Sequence, residues 1–221
     1  MSERPAPPIS QRKQPRQARS TELVAVILQA ATQVLAQEGA QRFTTARVAE
    51  KAGVSIGSLY QYFPNKAAIL FRLQTEEWRQ TSDLLAGILA DTRMAPLQRL
   101  RHLVHAFVRS ECEEAAMRVA LDDAAPLYRD APEAHAAREA GEGAFRLFMV
   151  EVLPNADEAT QSLAIDLIVS TLSGVGKRFS ETPRTLIQVA EYAEAMADMF
   201  CAYLTVLAGA GGAPLTSLGE V

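Results

Sequence analysis

Cysteine is nearly missing from this sequence: Cys112 and Cys201 are the only two. Two thiols so far apart do not make a disulfide framework, which excludes the small cross-linked secreted scaffolds and fits a reducing compartment. Both read as small buried apolar residues. Long unbroken apolar runs are scarce as well. The opening MSERPAPPIS has no apolar stretch and does not read as a secretory leader. The most apolar late window, Met196 to Leu207, contains Asp198 and runs into GAGGAP, short of a membrane span. No transmembrane helix and no membrane partner are expected, and the expected compartment is the cytoplasm. Strict Val/Ile/Thr alternation is rare, which argues against strands. A Gly-rich phosphate loop, a G-x-S-x-G elbow, a metal-ligand cluster and a His-linked nucleophile are all lacking, which counts against an enzyme. No cofactor and no catalytic residue is expected. A helical enzyme that works with Asp/Glu pairs stays open at this level.

Helix formers are abundant instead. Ala, Leu, Glu, Arg and Gln recur through a 221-residue chain that is 48% hydrophobic and 22% charged, an ordinary globular balance. The fold class is all-α, with about nine helices. The net charge of −4 conceals an asymmetry. Met1 to Lys66 holds nine basic residues and four acids, a net +5, so the remainder carries −9. A basic front on an acidic body suggests that the front meets a polyanion. A basic tail with no partner would give the same numbers.

Four stretches follow from composition and punctuation. Residues 1–19 are rich in Pro, Arg and Gln and read as a mobile basic arm that carries Arg12, Lys13, Arg16 and Arg19. Residues 20–65 read as a small three-helix domain, residues 66–208 as a larger helical body, and 209–221 as a flexible tail. Leu23, Ile27, Ala30, Ala31, Val34 and Leu35 repeat at helical spacing until Gly39 ends the first helix. Thr44 or Thr45 caps the second, and Gly53 turns the chain. Ser55 caps a short third helix with an apolar stripe of Ile56, Leu59, Tyr60 and Phe63. Pro64 stops it, and Asn65 caps a long fourth helix from Lys66 to about Asp91.

Helix, glycine turn, short helix is the arrangement of a helix-turn-helix, whose second helix enters the major groove with its first turn at the base edges. That turn is slim and uncharged here: Ile56, Gly57, Ser58, then Gln61. Gln61 can read adenine by paired hydrogen bonds, and Ile56 can touch a thymine methyl. The hydroxyls of Tyr60 and Tyr62 can reach phosphates while their rings brace the helix. Core aromatics are the alternative: that suits Phe63, Tyr60 serves both ends, and Tyr62 lies off the stripe, so burial explains it poorly. Lys66, at the start of the fourth helix, suits a phosphate.

The run FTTARVAEKAGVSIGSLYQYFPNKAAIL closely resembles the DNA-binding signature of TetR-family transcriptional regulators. The likeness lies in the threonine pair, the Val-Ala-x-x-Ala-Gly-Val turn, Ser-x-Gly-x-Leu-Tyr-x-Tyr-Phe, and Asn-Lys before an apolar pair. It covers about residues 20–75. It implies phosphate contacts from Thr44, Ser55, Tyr60, Tyr62 and Lys66. It also implies that Thr45, Arg47, Ile56, Gly57, Ser58 and Gln61 face bases or backbone. Ala46 and Ile56 depart from members with basic or polar residues there. The resemblance further implies a palindromic double-stranded operator, a homodimer through the last two helices, and a small-molecule effector enclosed by the middle helices. Trp78, Phe107, Met117, Tyr128, Phe145, Phe148 and Met149 would suit a largely apolar effector, although each alone reads more readily as core.

The sequence supports the dimer independently. The last helix, from Leu186 to Leu207, has a long apolar stripe that Tyr192, Met199 and Val206 widen beyond one face. A helix apolar on more than one face needs two partners. His102 and His105 could orient a polar ligand group, but without a third ligand they do not make a metal site. Gly174 and Gly176 stand near a helix end, where Lys177 and Arg178 suit the negative terminus. The resulting reading is a dimeric, ligand-released repressor. A constitutive DNA-binding dimer without effector is the alternative.

Overall fold

The computed structural model describes residues 18–127 and 143–209, and the described residues contain nine α-helices, one 3-10 turn (Ala125–Leu127) and no strand. The helices are α1 (Ala18–Arg42), α2 (Thr45–Ala52), α3 (Ile56–Tyr62), α4 (Lys66–Leu89), α5 (Pro96–Glu113), α6 (Ala115–Ala124), α7 (Gly143–Val152), α8 (Glu158–Ser180) and α9 (Leu186–Gly209). The all-α expectation holds. Residues 1–17 of the basic arm, Tyr128, the expected helical stretch from Glu133 to residue 142 and the tail beyond Gly209 lie outside the described residues, while Ala18 and Arg19, read as part of the arm, open α1.

Two compact units divide the described chain. The first takes residues 18–80 and 116–127, so it includes most of α4 and α6 as well as α1 to α3. Its core joins Val24, Ile27, Ala31, Val34 and Leu35 of α1 to Phe43, Val48, Leu59 and Phe63, and to Ile69 and Leu70 of α4. Ala120, Leu121 and Ala124 of α6 bury in the same core. Residues 20–42 are long and apolar enough, by length and composition, to cross a membrane. Their apolar side is the side that packs into this core. Gly39 breaks the helical geometry at φ 73°, ψ 171°, and the helix resumes as far as Arg42. Glu77 of α4 and Arg118 of α6 form a largely buried ion pair at 2.7 Å, and Gln74 Nε2 donates to Glu77 at 3.0 Å.

The second unit takes residues 81–115 and 143–209. Leu100, Leu103, Val104 and Val108 of α5 are fully buried against Phe148 and Met149 of α7, Ala164 and Ile168 of α8, and Ala197, Phe200 and Leu204 of α9. Arg99 is buried too. Its guanidinium donates to the Leu89 carbonyl at the end of α4 and to Glu151, and lies over the Phe148 ring at 5.7 Å. A helix end leaves carbonyls without partners, and Arg99 supplies one. Asp157 caps α8 by accepting from the Thr160 N–H at 2.8 Å. Burial pushes the Cys112 and Cys201 thiols up, as befits packing groups.

Gly176 corrects one expectation. Neither Gly174 nor Gly176 closes α8, which continues to Ser180. A Cβ on Gly176 would stand 2.8 Å from Phe107 Cε1 and 3.3 Å from Glu111 Cγ. The glycine is there for close approach of α5 and α8. Lys177 and Arg178 do occupy the last turn.

Candidate nucleic-acid interface

Local chemistry shapes the helix-turn-helix. Thr44 is the N-cap of α2: its backbone is extended and its Oγ1 accepts from the Arg47 N–H at 3.3 Å. Val48 and Ala49 hold α2 to the core. Gly53 closes it in the left-handed region, φ 67°, ψ 29°, with its N–H directed to the Ala49 and Glu50 carbonyls. Most side chains resist that conformation. Ser55 caps α3, its Oγ accepting from the Ser58 N–H at 3.0 Å and meeting Ser58 Oγ at 2.8 Å. Asn65 Oδ1 accepts from the Ala68 N–H at 2.9 Å and caps α4 beside Lys66.

The structure turns α3 differently from the stripe read in the sequence. Leu59, Tyr62 and Phe63 are the buried set, spaced i, i+3, i+4. Tyr62 is only 5% exposed, whereas Tyr60 is 40% and Ile56 42% exposed. Ile56 and Tyr60 therefore leave the stripe and Tyr62 joins it. Burial does explain the Tyr62 ring. The outward face carries Ile56, Gly57, Tyr60 and Gln61, with Ser55 exposed and Ser58 half-buried at its start. Thr44 is exposed beside it, and Thr45 and Lys66 are half-buried. An uncharged, slim, exposed turn framed by hydroxyls is a shape that enters a groove.

Two contacts escape any local sequence rule. Thr45 Oγ1 and Tyr60 OH lie 3.0 Å apart, joining the start of α2 to the exposed side of α3. Arg47 Nη1 donates to the Glu38 carboxylate and, at 3.1 Å, to the Arg42 carbonyl.

The residues assigned to an effector divide between the units. Met117 packs against the first core. Phe107, Phe145, Phe148 and Met149 come together in the second. Trp78 is half-buried on α4, within the first unit, and Tyr128 lies outside the described residues. His105 Nε2 meets Glu194 at 2.7 Å, Arg101 reaches Glu194 and Asp198, and His102 is exposed. No group of three or more His, Cys, Asp or Glu able to hold a metal occurs among the described residues.

A helix-turn-helix unit followed by a larger helical unit defines a class of DNA-binding regulators. Comparison with protein families narrows it. A model described as bacterial regulatory proteins, tetR family, matches residues 27–73, and one described as tetracyclin repressor-like, C-terminal domain, matches residues 95–207, half of the chain. The chain belongs to the TetR family of transcriptional regulators.

Among curated proteins, the chain is 38% identical over 80 residues to the nucleoid occlusion factor SlmA of Vibrio campbellii, covering 36% of this chain and 40% of that protein. It is 54% identical over 43 residues to SlmA of Alteromonas mediterranea, covering 20% and 22%. The chain thus aligns with less than half the length of the curated relatives it matches. Solved structures share the fold. The fatty acid degradation regulator FadR of Bacillus halodurans has 18% identity and a TM-score of 0.61, over 86% of this chain and 96% of that one. FadR of Bacillus subtilis, in complex with stearoyl-CoA, has 15% identity and a TM-score of 0.60, over 80% and 97%. A TetR transcriptional regulator of Rhodococcus has 18% and 0.55, over 91% and 100%.

Proposed function

We propose that this TetR-family regulator is a cytoplasmic homodimeric repressor that holds a palindromic operator and releases it when a small, largely apolar effector binds. One observation carries the reading: the first turn of α3 is exposed, uncharged and slim, and lies beside a framework of hydroxyls. In this proposal Ile56, Gly57, Ser58 and Gln61 face bases. Thr44, Thr45, Ser55, Tyr60, Tyr62 and Lys66 hold phosphates, Tyr62 with its ring in the core and its hydroxyl alone toward DNA.

The second unit supports the dimer. Leu163 and Leu167 of α8 and Met199 and Val206 of α9 are all exposed, opposite the faces that form the core. Ala195, Met199, Ala202, Val206 and Gly209 are exposed at alternating 4-3 spacing along α9. Two copies meeting on these stripes would cover an apolar surface that a monomer seldom leaves open. Doubling also places two α3 helices for half-sites about one DNA turn apart, ~34–36 Å. Phe107, Phe145, Phe148 and Met149 supply an apolar lining for an effector, and the stearoyl-CoA bound to one structural relative makes acyl-CoA thioesters the first ligands to try.

The test has two arms. Sedimentation of wild type and of the Met199→Glu, Val206→Glu double variant should give a dimer and a monomer, and only the dimer should hold duplex tightly. Acyl-CoA of several chain lengths is then added to the wild-type complex. Release supports a regulated repressor; a complex that sediments as a dimer and ignores every ligand supports the constitutive form. A wild-type monomer contradicts the dimer.

A further inference from the structure

We infer that Arg47 is a positioning residue: through Glu38 it fixes the threonine turn of α2 against the kinked end of α1, rather than holding DNA itself. This rests on the duplex-binding reading of the site and reassigns one residue that the TetR resemblance places among the contacts.

The geometry around the bend is the basis. The chain leaves regular helix at Gly39, whose φ of 73° no other residue in the segment shares, and re-enters it before Arg42. Phe43 then buries completely and Thr44 caps α2. Such a bend leaves the last carbonyls of α1 without helical partners. Arg47 Nη1 takes the Arg42 carbonyl at 3.1 Å, and the same nitrogen donates to Glu38, the residue before the kink. One guanidinium nitrogen thus closes the bend from both sides. The backbone N–H of Arg47 donates to Thr44 Oγ1. Next to it, Thr45 is bonded across to Tyr60. The turn that carries Thr44 and Thr45 is therefore tied to α1 through Arg47 and to α3 through Thr45.

Charge points the same way. Glu38 and Glu50 are the only acids between residues 23 and 75. Arg47 is engaged by the one at the bend. An arginine engaged in this way keeps its charge local. Arg47 and Glu38 side chains are 45% and 31% exposed, so the pair is a modest one, and removing it should leave the fold intact.

The experiment measures affinity for the duplex that wild-type protein selects from a random library, across a salt series. A phosphate neutralised directly by an arginine contributes about 0.9 to the slope of log affinity against log salt. Arg47→Gln and Glu38→Gln are each expected to lower affinity about 2–5-fold, the effect of a partly exposed ion pair, with wild-type slope. The swapped pair, Glu38→Arg with Arg47→Glu, is expected to recover most of the loss. Thermal unfolding of each variant checks that it is folded. A slope reduced by about one in Arg47→Gln, tighter binding by Glu38→Gln, or a swapped pair as weak as Arg47→Gln would each overturn the role given to Arg47. Wild-type protein that binds no duplex would refute the underlying reading and the inference with it.

Discussion

Thr45 and Tyr60 are fifteen residues apart in sequence, yet their hydroxyl oxygens stand 3.0 Å from each other. Thr45 lies in the first turn of α2 and Tyr60 in the last turn of α3, so the bond joins the two helices of the helix-turn-helix on its exposed side. In the proposed reading these two hydroxyls receive one phosphate oxygen, and neither has to be ordered when DNA arrives.

Removal of either hydroxyl should weaken duplex binding in the same way. Thr45→Val and Tyr60→Phe are expected to lose about 3–10-fold each, the value of one hydrogen bond of roughly 1 kcal/mol. The double variant should lose less than the sum, since the two act together. Fluorescence anisotropy with a labelled duplex measures all three. Fully additive losses would separate the pair.

Tyr62 is the converse case. Its ring is part of the core, so Tyr62→Ala is expected to cost about 3–5 kcal/mol, the usual value for emptying an aromatic site. Tyr62→Phe keeps the ring and should leave the denaturation midpoint nearly unchanged. If the hydroxyl holds phosphate as proposed, Tyr62→Phe lowers duplex affinity about 3–10-fold, the value of one hydrogen bond, and leaves the salt slope unchanged because a neutral hydroxyl releases no counterion. Unchanged affinity removes Tyr62 from the contact set.

Much of this site was legible because its signals are local. Thr44, Gly53, Ser55 and Asn65 cap or close helices within four residues of their partners, and sequence spacing reports such geometry directly. The side of α3 that turns inward was not legible. It depends on what covers α3, and the core around it includes Ala120 and Leu121 from a helix about sixty residues later. The periodicity therefore found a helix but rotated its face, exchanging Tyr60 for Tyr62. The Glu38–Arg47 pair and the Thr45–Tyr60 bond cross turns, and no periodic rule links them. Gly176 reads as a helix stop until Phe107 is seen against it.

Gly176 and Gly87 should respond oppositely to the same change. Gly87 lies in α4 with nothing within 4 Å of an added Cβ, so Gly87→Ala should stabilise by about 0.5–1 kcal/mol. At Gly176 the methyl meets Phe107, and overpacking of about 1–3 kcal/mol exceeds the gain in helix propensity. Phe107→Leu in the Gly176→Ala background should recover part of the loss. Chemical denaturation measures each. A stabilised Gly176→Ala protein would show that α5 and α8 are not closely packed there.

Asp157 predicts a pH dependence for the second unit. Its bonds to Thr160 hold its carboxyl below the ordinary aspartate value. A group whose folded value is depressed stabilises the fold fully above its unfolded value and loses that contribution as pH falls through the folded one. Asp157→Ala should therefore unfold earlier than wild type near neutral pH, and the two melting curves should converge below about pH 4. Asp157→Asn, which keeps an acceptor without titrating, should not show this convergence with Asp157→Ala. A constant gap between wild type and Asp157→Ala down to low pH would contradict the cap.

The account turns on α3 lying in a DNA groove and being doubled by self-association of the second unit. Selection of bound duplexes from random DNA by the full-length protein tests both at once. The account predicts an enriched palindrome whose half-sites are centred about one helical turn apart, with Gln61→Ala relaxing preference at one symmetric pair of positions. Enrichment of a single unrepeated half-site, or of no sequence at all, would contradict it.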